Sequence, residues 1–363
     1  LHAYQAGAIY ENKRQYDRAL NEYAAAVVND SNDTAARRMV RLARRPALRD
    51  QVERLTVDLA SAAQPNTRAL DLRSQILENQ GRRADWEQML MAAANRSNAI
   101  DTVQWIENRG RVAGFEKVQE RALQRRVEIT SDPVDKVRYQ LSLAHFYEEQ
   151  NRTADAANVI AAAYKSQPNS LGVIRATTDF YWRAKQNGKA VDTLTDAASR
   201  AQPAYKRAFQ LEAARKATES GDVARARQVL GVLIAEDPYR AEYLSAMADT
   251  YARAGDDRGL RAFYTNTIDA LRKSNLPAAE KTDRIAAMRR GVIPVLTKVQ
   301  EYSAALDQYI EIVNAFPDDA DVTREAAAYA GAHNLADRLA GYYTKTVADA
   351  PKDYRWPMVL ARV

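Results

Sequence analysis

LAHFYEEQNRTADAANVIAAAYKSQP, residues 143–168, holds the plan of the whole chain. Ala144 and Tyr147 precede the polar stretch EQNRT, Ala156, Ile160 and Ala163 follow it, and Pro168 closes the segment. Offsets of three, four and seven residues place side chains on one stripe of a helix. Two such stripes joined by a short polar turn predict an antiparallel helical hairpin. In it the small residues let the helices approach closely, and the tyrosine fills the space beside them.

The same arrangement recurs along the chain. Thr178, Tyr181, Ala190, Leu194 and Ala197 repeat it, then Ala214, Ala217, Ala226, Leu230, Leu233 and Pro238. Near the start it is Gly7, Tyr10, Ala19, Tyr23 and Ala26, and near the end Ala305, Tyr309, Ile312 and Pro317. Pro133, Pro168, Pro203 and Pro238 stand 35 residues apart, with Pro65, Pro317 and Pro351 continuing the ladder. Each proline is expected to stop the helix before it. A single hairpin cannot bury its own apolar face, so successive hairpins must stack.

On these residues the chain resembles the tetratricopeptide repeat family, over nearly its whole length. The resemblance implies an all-α, right-handed superhelical solenoid of antiparallel helix hairpins spanning 1–363 as one unit. Ten repeats start near Leu1, Asp33, Thr67, Thr102, Lys136, Leu171, Arg207, Ala241, Ala286 and Ala320, and a partial eleventh covers 354–363. Repeats two to four depart from the pattern: Val40 and Val52 replace small residues, and Trp86 stands where alanine is usual. Repeat four is expected to have a short first helix around Trp105, ending near Gly114. An irregular insertion near 271–285 is expected to lengthen helices of repeats eight and nine, with Pro294 kinking one of them.

Composition agrees with helix. Glycine (13) and proline (11) are scarce, and 28% of residues are charged. The longest apolar run, Val229 to Ala235, is far shorter than a bilayer span. With no cysteine, disulfides and thiolate metal sites are excluded. That absence leaves cytoplasm and periplasm unseparated, leaning toward an extracytoplasmic compartment. The net charge of +6 is slight for 363 residues and does not by itself imply nucleic acid. Leu1 opens the chain without a methionine, which reads as a fragment or a processed form.

No catalytic motif is present. His2, His145 and His333 lie in different repeats, and no phosphate-binding loop, H-E-x-x-H or G-x-S-x-G occurs. The expectation is therefore no enzyme and no cofactor. Glu148 and Glu149 read as a solvated helix end. The DDAD tetrad from Asp318 lacks the glycine and glutamate of a calcium loop and reads as a helix cap.

The resemblance implies that the first helix of each hairpin lines a concave, partner-binding groove. Carried over position by position, this selects Glu11, His145, Arg175, Asp179, Trp182, Arg183, Arg215 and Arg253. With Tyr181 taken as the buried aromatic, Trp182 turns toward the groove in a hot-spot setting. RRMVRLARR, residues 37–45, holds five arginines. With Ala36, Met39, Val40 and Ala43 as its apolar stripe, Arg37, Arg41, Arg44 and Arg45 fall on the groove side. Arg37, Arg41 and Arg44 form one cationic strip, partly neutralised by Asp33, Asp50 and Glu53. The function so implied is a protein-interaction scaffold taking a peptide or helix of a protein partner, with an acidic segment favoured by the strip. It would belong to a larger protein or a multi-subunit assembly. The alternatives are an RNA-binding helical repeat protein and the regulatory repeats of an enzyme whose catalytic part lies elsewhere. The groove column Asp71, Leu141, Arg175, Leu211, Ser245, Arg290 and Arg324 is too mixed for one-base-per-repeat reading, which disfavours nucleic acid.

Overall fold

The computed structural model describes residues 2–30, 32–64 and 66–363, so Leu1 and Pro65 lie outside the described residues. Twenty-one α-helices and no strand occur among them. They pair as α1 (His2–Asn12) with α2 (Tyr16–Asp30), α3 (Asp33–Ala43) with α4 (Pro46–Ala60), α5 (Thr67–Asn79) with α6 (Arg83–Arg96), α7 (Ile100–Ala113) with α8 (Glu116–Ile129), and α9 (Pro133–Glu149) with α10 (Thr153–Ser166). The pairing continues with α11 (Leu171–Arg183) and α12 (Asn187–Arg200), α13 (Pro203–Glu219) and α14 (Val223–Glu236), α15 (Ala241–Arg253) and α16 (Asp257–Lys273), α17 (Ala278–Lys298) and α18 (Tyr302–Ala315), and α19 (Ala320–Ala332) and α20 (Ala336–Asp349). A last helix, α21 (Arg355–Arg362), follows. This is an all-α array of antiparallel helix hairpins. It forms two compact units, Leu1–Phe180 and Tyr181–Val363, whose boundary falls inside α11.

The turn inside each hairpin is the most regular element. Nine of the ten contain one residue of positive φ: Arg14, Gly81, Gly114, Asn151, Lys185, Gly221, Gly255, Gln300 and Asn334. The next residue's N–H then reaches back five residues, as from Arg152 to the Tyr147 carbonyl (2.8 Å) and from Asp222 to that of Ala217 (2.8 Å). Such a left-handed cap satisfies carbonyls that the helix end would leave bare. The turn between α3 and α4 differs. Pro46 occupies the first helical position of α4, and Arg45 before it is extended, at φ −82° and ψ 120°. A proline disfavours helical backbone in the preceding residue, which accounts for Arg45.

Between turns the small-residue stripes are buried. In the first unit Ala144, Ala156 and Ala163 are at most 1% exposed, and Tyr147 and Ile160 are buried beside them. In the second unit Ala190, Ala214, Ala217, Ala226, Leu230 and Leu233 are buried in the same way. Gly7 shows how close the helices come. A Cβ there would lie 2.6 Å from the ring of the fully buried Tyr23. Gly291 on α17 meets Tyr264 on α16 similarly, at 2.5 Å.

Several expectations are corrected. Pro133 and Pro203 do not stop helices but open α9 and α13, where the missing N–H costs nothing, whereas Pro168, Pro238, Pro317 and Pro351 do lie in turns after helices. The first helix of repeat four is not short: α7 has 14 residues, starts at Ile100, and ends on Gly114 in the left-handed region. Extra length in repeats eight and nine is helical, in the 17 residues of α16 and the 21 of α17, and Pro294 lies inside α17. In the DDAD tetrad Asp319 caps α19, its carboxylate accepting from the Asp321 and Val322 N–H groups at 2.9 and 3.2 Å.

Ala156→Leu and Ala190→Leu are each expected to lower stability by about 1–3 kcal/mol, because both positions are fully enclosed. Chemical denaturation followed by circular dichroism measures it. Unchanged midpoints in both variants would show that these stripes do not set the helix spacing.

Candidate functional site

The arginine-rich helix α3 is amphipathic, with Ala35, Met39, Leu42 and Ala43 buried. That stripe is rotated from the expected one: Ala36 and Val40 are only half-buried, and Leu42 takes their place in the core. Asn32 caps the helix, accepting from the N–H groups of Thr34 and Ala35 at 3.0 Å. Arg37, Arg41, Arg44 and Arg45 are exposed, whereas Arg38 is half-buried.

The five arginines go to different places. Arg38 Nη1 and Arg41 Nη2 both bond Glu11 of α1, at 3.0 and 2.8 Å. The Tyr23 hydroxyl donates to the same carboxylate at 2.6 Å. Arg37 Nη2 donates to Thr34 Oγ1 at 3.2 Å and lines a cavity of about 370 Å³ with Asp33, Arg68 and Asp71. Arg44 Nη2 donates to Asn79 Oδ1 at 3.3 Å, across to α5. Arg45 Nη1 donates to the Tyr16 hydroxyl at 2.8 Å, its guanidinium 5.3 Å from the centre of that ring. The expected neutralising groups are engaged elsewhere: Asp33 holds Arg68 at 2.8 Å, and Glu53 holds Arg73 and Arg82. Residue spacing alone aligned Arg37, Arg41 and Arg44; the partners reached from α1 and α5 separate them.

Glu11 is the electrostatic centre of the first two hairpins. Burial raises its pKa, but the hydrogen bonds from Tyr23 and Arg38 and the charges of Arg38 and Arg41 outweigh that and hold it below the ordinary glutamate value. Conversely, burial, followed by the bond to Glu11, pushes the Tyr23 hydroxyl far above its usual range.

Other candidate residues are spread over both units. His145 is exposed on α9, with Nε2 3.2 Å from Glu149. Arg175 and Asp179 are exposed on the part of α11 in the first unit. In the second unit Trp182 is half-buried, and Lys216 of α13 places its ammonium 4.4 Å from the ring centre. Tyr181 is not the enclosed aromatic of α11. It is half-buried, while Phe180 is 1% exposed. Arg183 and Arg215 are exposed, and Arg253 pairs with Asp249 four residues earlier at 2.9 Å.

Two sets of residues escaped the sequence reading. Beside Arg44 a cavity of about 450 Å³ is lined also by Arg49, Asn79, Gln80 and Arg82. The sequence signal for it was Pro46, which marks a turn unlike the others. In the second unit α15, α16 and α17 enclose an apolar recess of about 450 Å³, lined by Leu244, Ala248, Ala252, Tyr264, Ala287 and Met288, with Asp249 and Ser245 on its lining. The expected groove positions Ser245 and Arg253 pointed toward it. Its alanines were indistinguishable from core alanines. Among the described residues no group of three His, Asp or Glu side chains is placed to hold a metal ion, and no helix is long and apolar enough to cross a membrane.

No family model matches the chain, and no curated protein matches it. Among solved structures it is similar to a tetratricopeptide repeat protein from Parabacteroides merdae, at 9% identity and a TM-score of 0.33, over 72% of this chain and 98% of that one. A structure of Pseudomonas aeruginosa PilF is 13% identical with a TM-score of 0.30, over 64% and 99% of the two chains. The Cut9–Hcn1 hetero-tetramer of APC/C is 16% identical with a TM-score of 0.29, over 99% and 75%.

Because the Glu11 carboxylate titrates below its ordinary value, its stabilising effect is complete above that value and is lost as pH falls through the lowered one. Glu11→Gln is therefore expected to lower Tm by a few degrees at neutral pH. The difference from wild type should shrink as pH falls below 4.5, the glutamate reference. Thermal melts of both proteins across that range provide the check, and a constant difference would remove the charge from the explanation.

Proposed function

We propose that this chain is a non-enzymatic protein-interaction scaffold whose first-helix face receives a peptide or helix of a protein partner. The observation that carries this reading is the apolar recess among α15, α16 and α17. Ala248, Ala252 and Ala287 are too small to fill the space between two first helices, and Tyr264 and Leu260 add apolar surface to the lining. A recess of this composition suits one large apolar side chain presented by a partner, the geometry of a helix laid into a groove. The nearby charges are largely satisfied: Asp249 holds Arg253 at 2.9 Å, and Arg290 lies 3.9 Å from Glu325. Specificity at this face therefore rests first on shape.

Arg215 on α13 is exposed, with no hydrogen bond or ion pair among the described residues. It offers a cation to an acidic residue flanking the anchor. In the first unit Arg37 and Arg175 offer the same at their own positions. Arg41 contributes less, because Glu11 already neutralises it. The lining of the recess holds one carboxylate, that of Asp249, and no histidine.

Ala252 is exposed and Ala287 is exposed, so acidic substitutions there should leave the fold intact. Once a partner has been isolated with the wild-type chain, Ala252→Glu with Ala287→Glu is expected to weaken its binding by about tenfold or more, as burying an unpaired charge in an apolar contact requires. Titration calorimetry measures the affinity, and circular dichroism verifies folding. Equal affinities for the folded variant and wild type would remove the recess from the binding face.

A further inference from the structure

The cavity beside Arg44 has a chemistry different from that of the apolar recess and stands independently of it. It lies where α3 ends, α4 begins, α5 ends and α6 begins. Arg44, Arg49 and Arg82 line it, and no carboxylate does. Asp50 and Glu78 are close in sequence, but neither reaches the lining.

The three guanidinium groups are prepared differently. Arg82 is held from behind, its Nη1 2.9 Å from Glu53 and its Nε 2.6 Å from Asp85. Glu53 also holds the buried Arg73. These two carboxylates therefore balance Arg73 and Arg82 and leave nothing for the other pair. Arg44 has only the neutral amide oxygen of Asn79, at 3.3 Å. Arg49 has no hydrogen bond or ion pair among the described residues. Two uncompensated positive charges thus share one concavity, with a third, fixed guanidinium beside them.

The rest of the lining limits what the occupant can be. Gln80 adds a second amide, and Val40 and Ile76 supply an apolar wall. The volume of about 450 Å³ is that of a small-molecule site, far more than one oxyanion fills. Charge decides the head group. A phosphate monoester carries about −1.5 to −2 at neutral pH, which matches the uncompensated charge, whereas a carboxylate leaves one guanidinium unbalanced. Guanidinium forks also present paired N–H groups suited to phosphate oxygens.

We propose that this cavity binds a phosphate monoester carried on an apolar stem. The phosphate meets Arg44, Arg49 and Arg82, and the stem lies against Val40 and Ile76. The turn before Pro46 is what brings Arg44 and Arg49 to the same opening. A left-handed turn, as in the other hairpins, would place the start of α4 differently.

Isothermal titration of the whole chain with phenyl phosphate, inorganic phosphate and benzoate tests this. Phenyl phosphate is expected to bind, with inorganic phosphate weaker and competing, and benzoate weaker by about tenfold or more. Arg49→Gln loses no contact within the protein, so it should fold normally and weaken phenyl phosphate by about tenfold. Arg44→Gln should do the same, while Arg253→Gln in the second unit should leave it unchanged. A phosphoserine peptide that binds more tightly than phenyl phosphate identifies the source as a phosphorylated protein segment; one that binds more weakly identifies a small phosphorylated molecule. The proposal is overturned by absence of phenyl phosphate binding, by benzoate binding equally well, or by unchanged affinity in a folded Arg49→Gln protein.

Discussion

The left-handed residue inside the hairpin turn is the constraint on which the rest of the structure depends. It reverses the chain in two or three residues while its successor's N–H closes onto a carbonyl five residues back. With the reversal fixed, two helices of roughly equal length run side by side at a set height, and their small residues face one another. Gly7 of α1 lies against Tyr23 of α2 because the turn brings the two helices that close. Five of the nine positions are not glycine, so Arg14, Asn151, Lys185, Gln300 and Asn334 adopt a conformation that costs an L-residue about 1 kcal/mol. That the backbone adopts it nonetheless shows how strongly packing on both sides determines the turn.

Arginine serves this array as a tie between hairpins. Arg68 reaches Asp33, Arg152 reaches Glu120, Arg225 reaches Asp192, and Arg338 reaches Asp307, each about one repeat back in sequence. These pairs are largely exposed, and each is worth little by itself. Their effect is on register, since a sliding hairpin would break its tie. The 53 basic residues are nearly balanced by 47 acidic ones. Most guanidinium groups already have a carboxylate, which gives significance to two without one that share a cavity, Arg44 and Arg49.

The hairpin array was legible in the sequence because its determinants are local. Ala144, Tyr147, Ala156 and Pro168 each report on a neighbour three to twelve residues away. Helix starts were harder where proline has two uses: at Pro133 and Pro203 a residue that ends helices in one frame begins them in another. The aromatic of α11 was misread because Phe180 and Tyr181 are adjacent, and only packing from other helices decides which is enclosed. The partners of the arginines on α3 were hidden for a related reason. Periodicity placed Arg37, Arg41 and Arg44 on one face, but Glu11 and Asn79, which separate them, come from hairpins about 30 residues away on either side. Arg38 was passed over because it lies between the faces of the helix, the position from which it reaches Glu11.

Turns of one geometry are interchangeable as points of joining. A hairpin built around a left-handed turn can be duplicated, lost or exchanged, and the chain on either side still meets a neighbour presenting the same small-residue stripe. Length in such a protein is therefore free to change in whole hairpins at little structural cost. The hairpin of α3 and α4 is outside that economy. Its turn is set by Pro46 and an extended Arg45, and its flanks are committed to Glu11 on one side and Asn79 on the other. Among the described residues its turn is the one hairpin turn without a positive-φ residue, which makes its position a fixed mark against which the other hairpins can be counted.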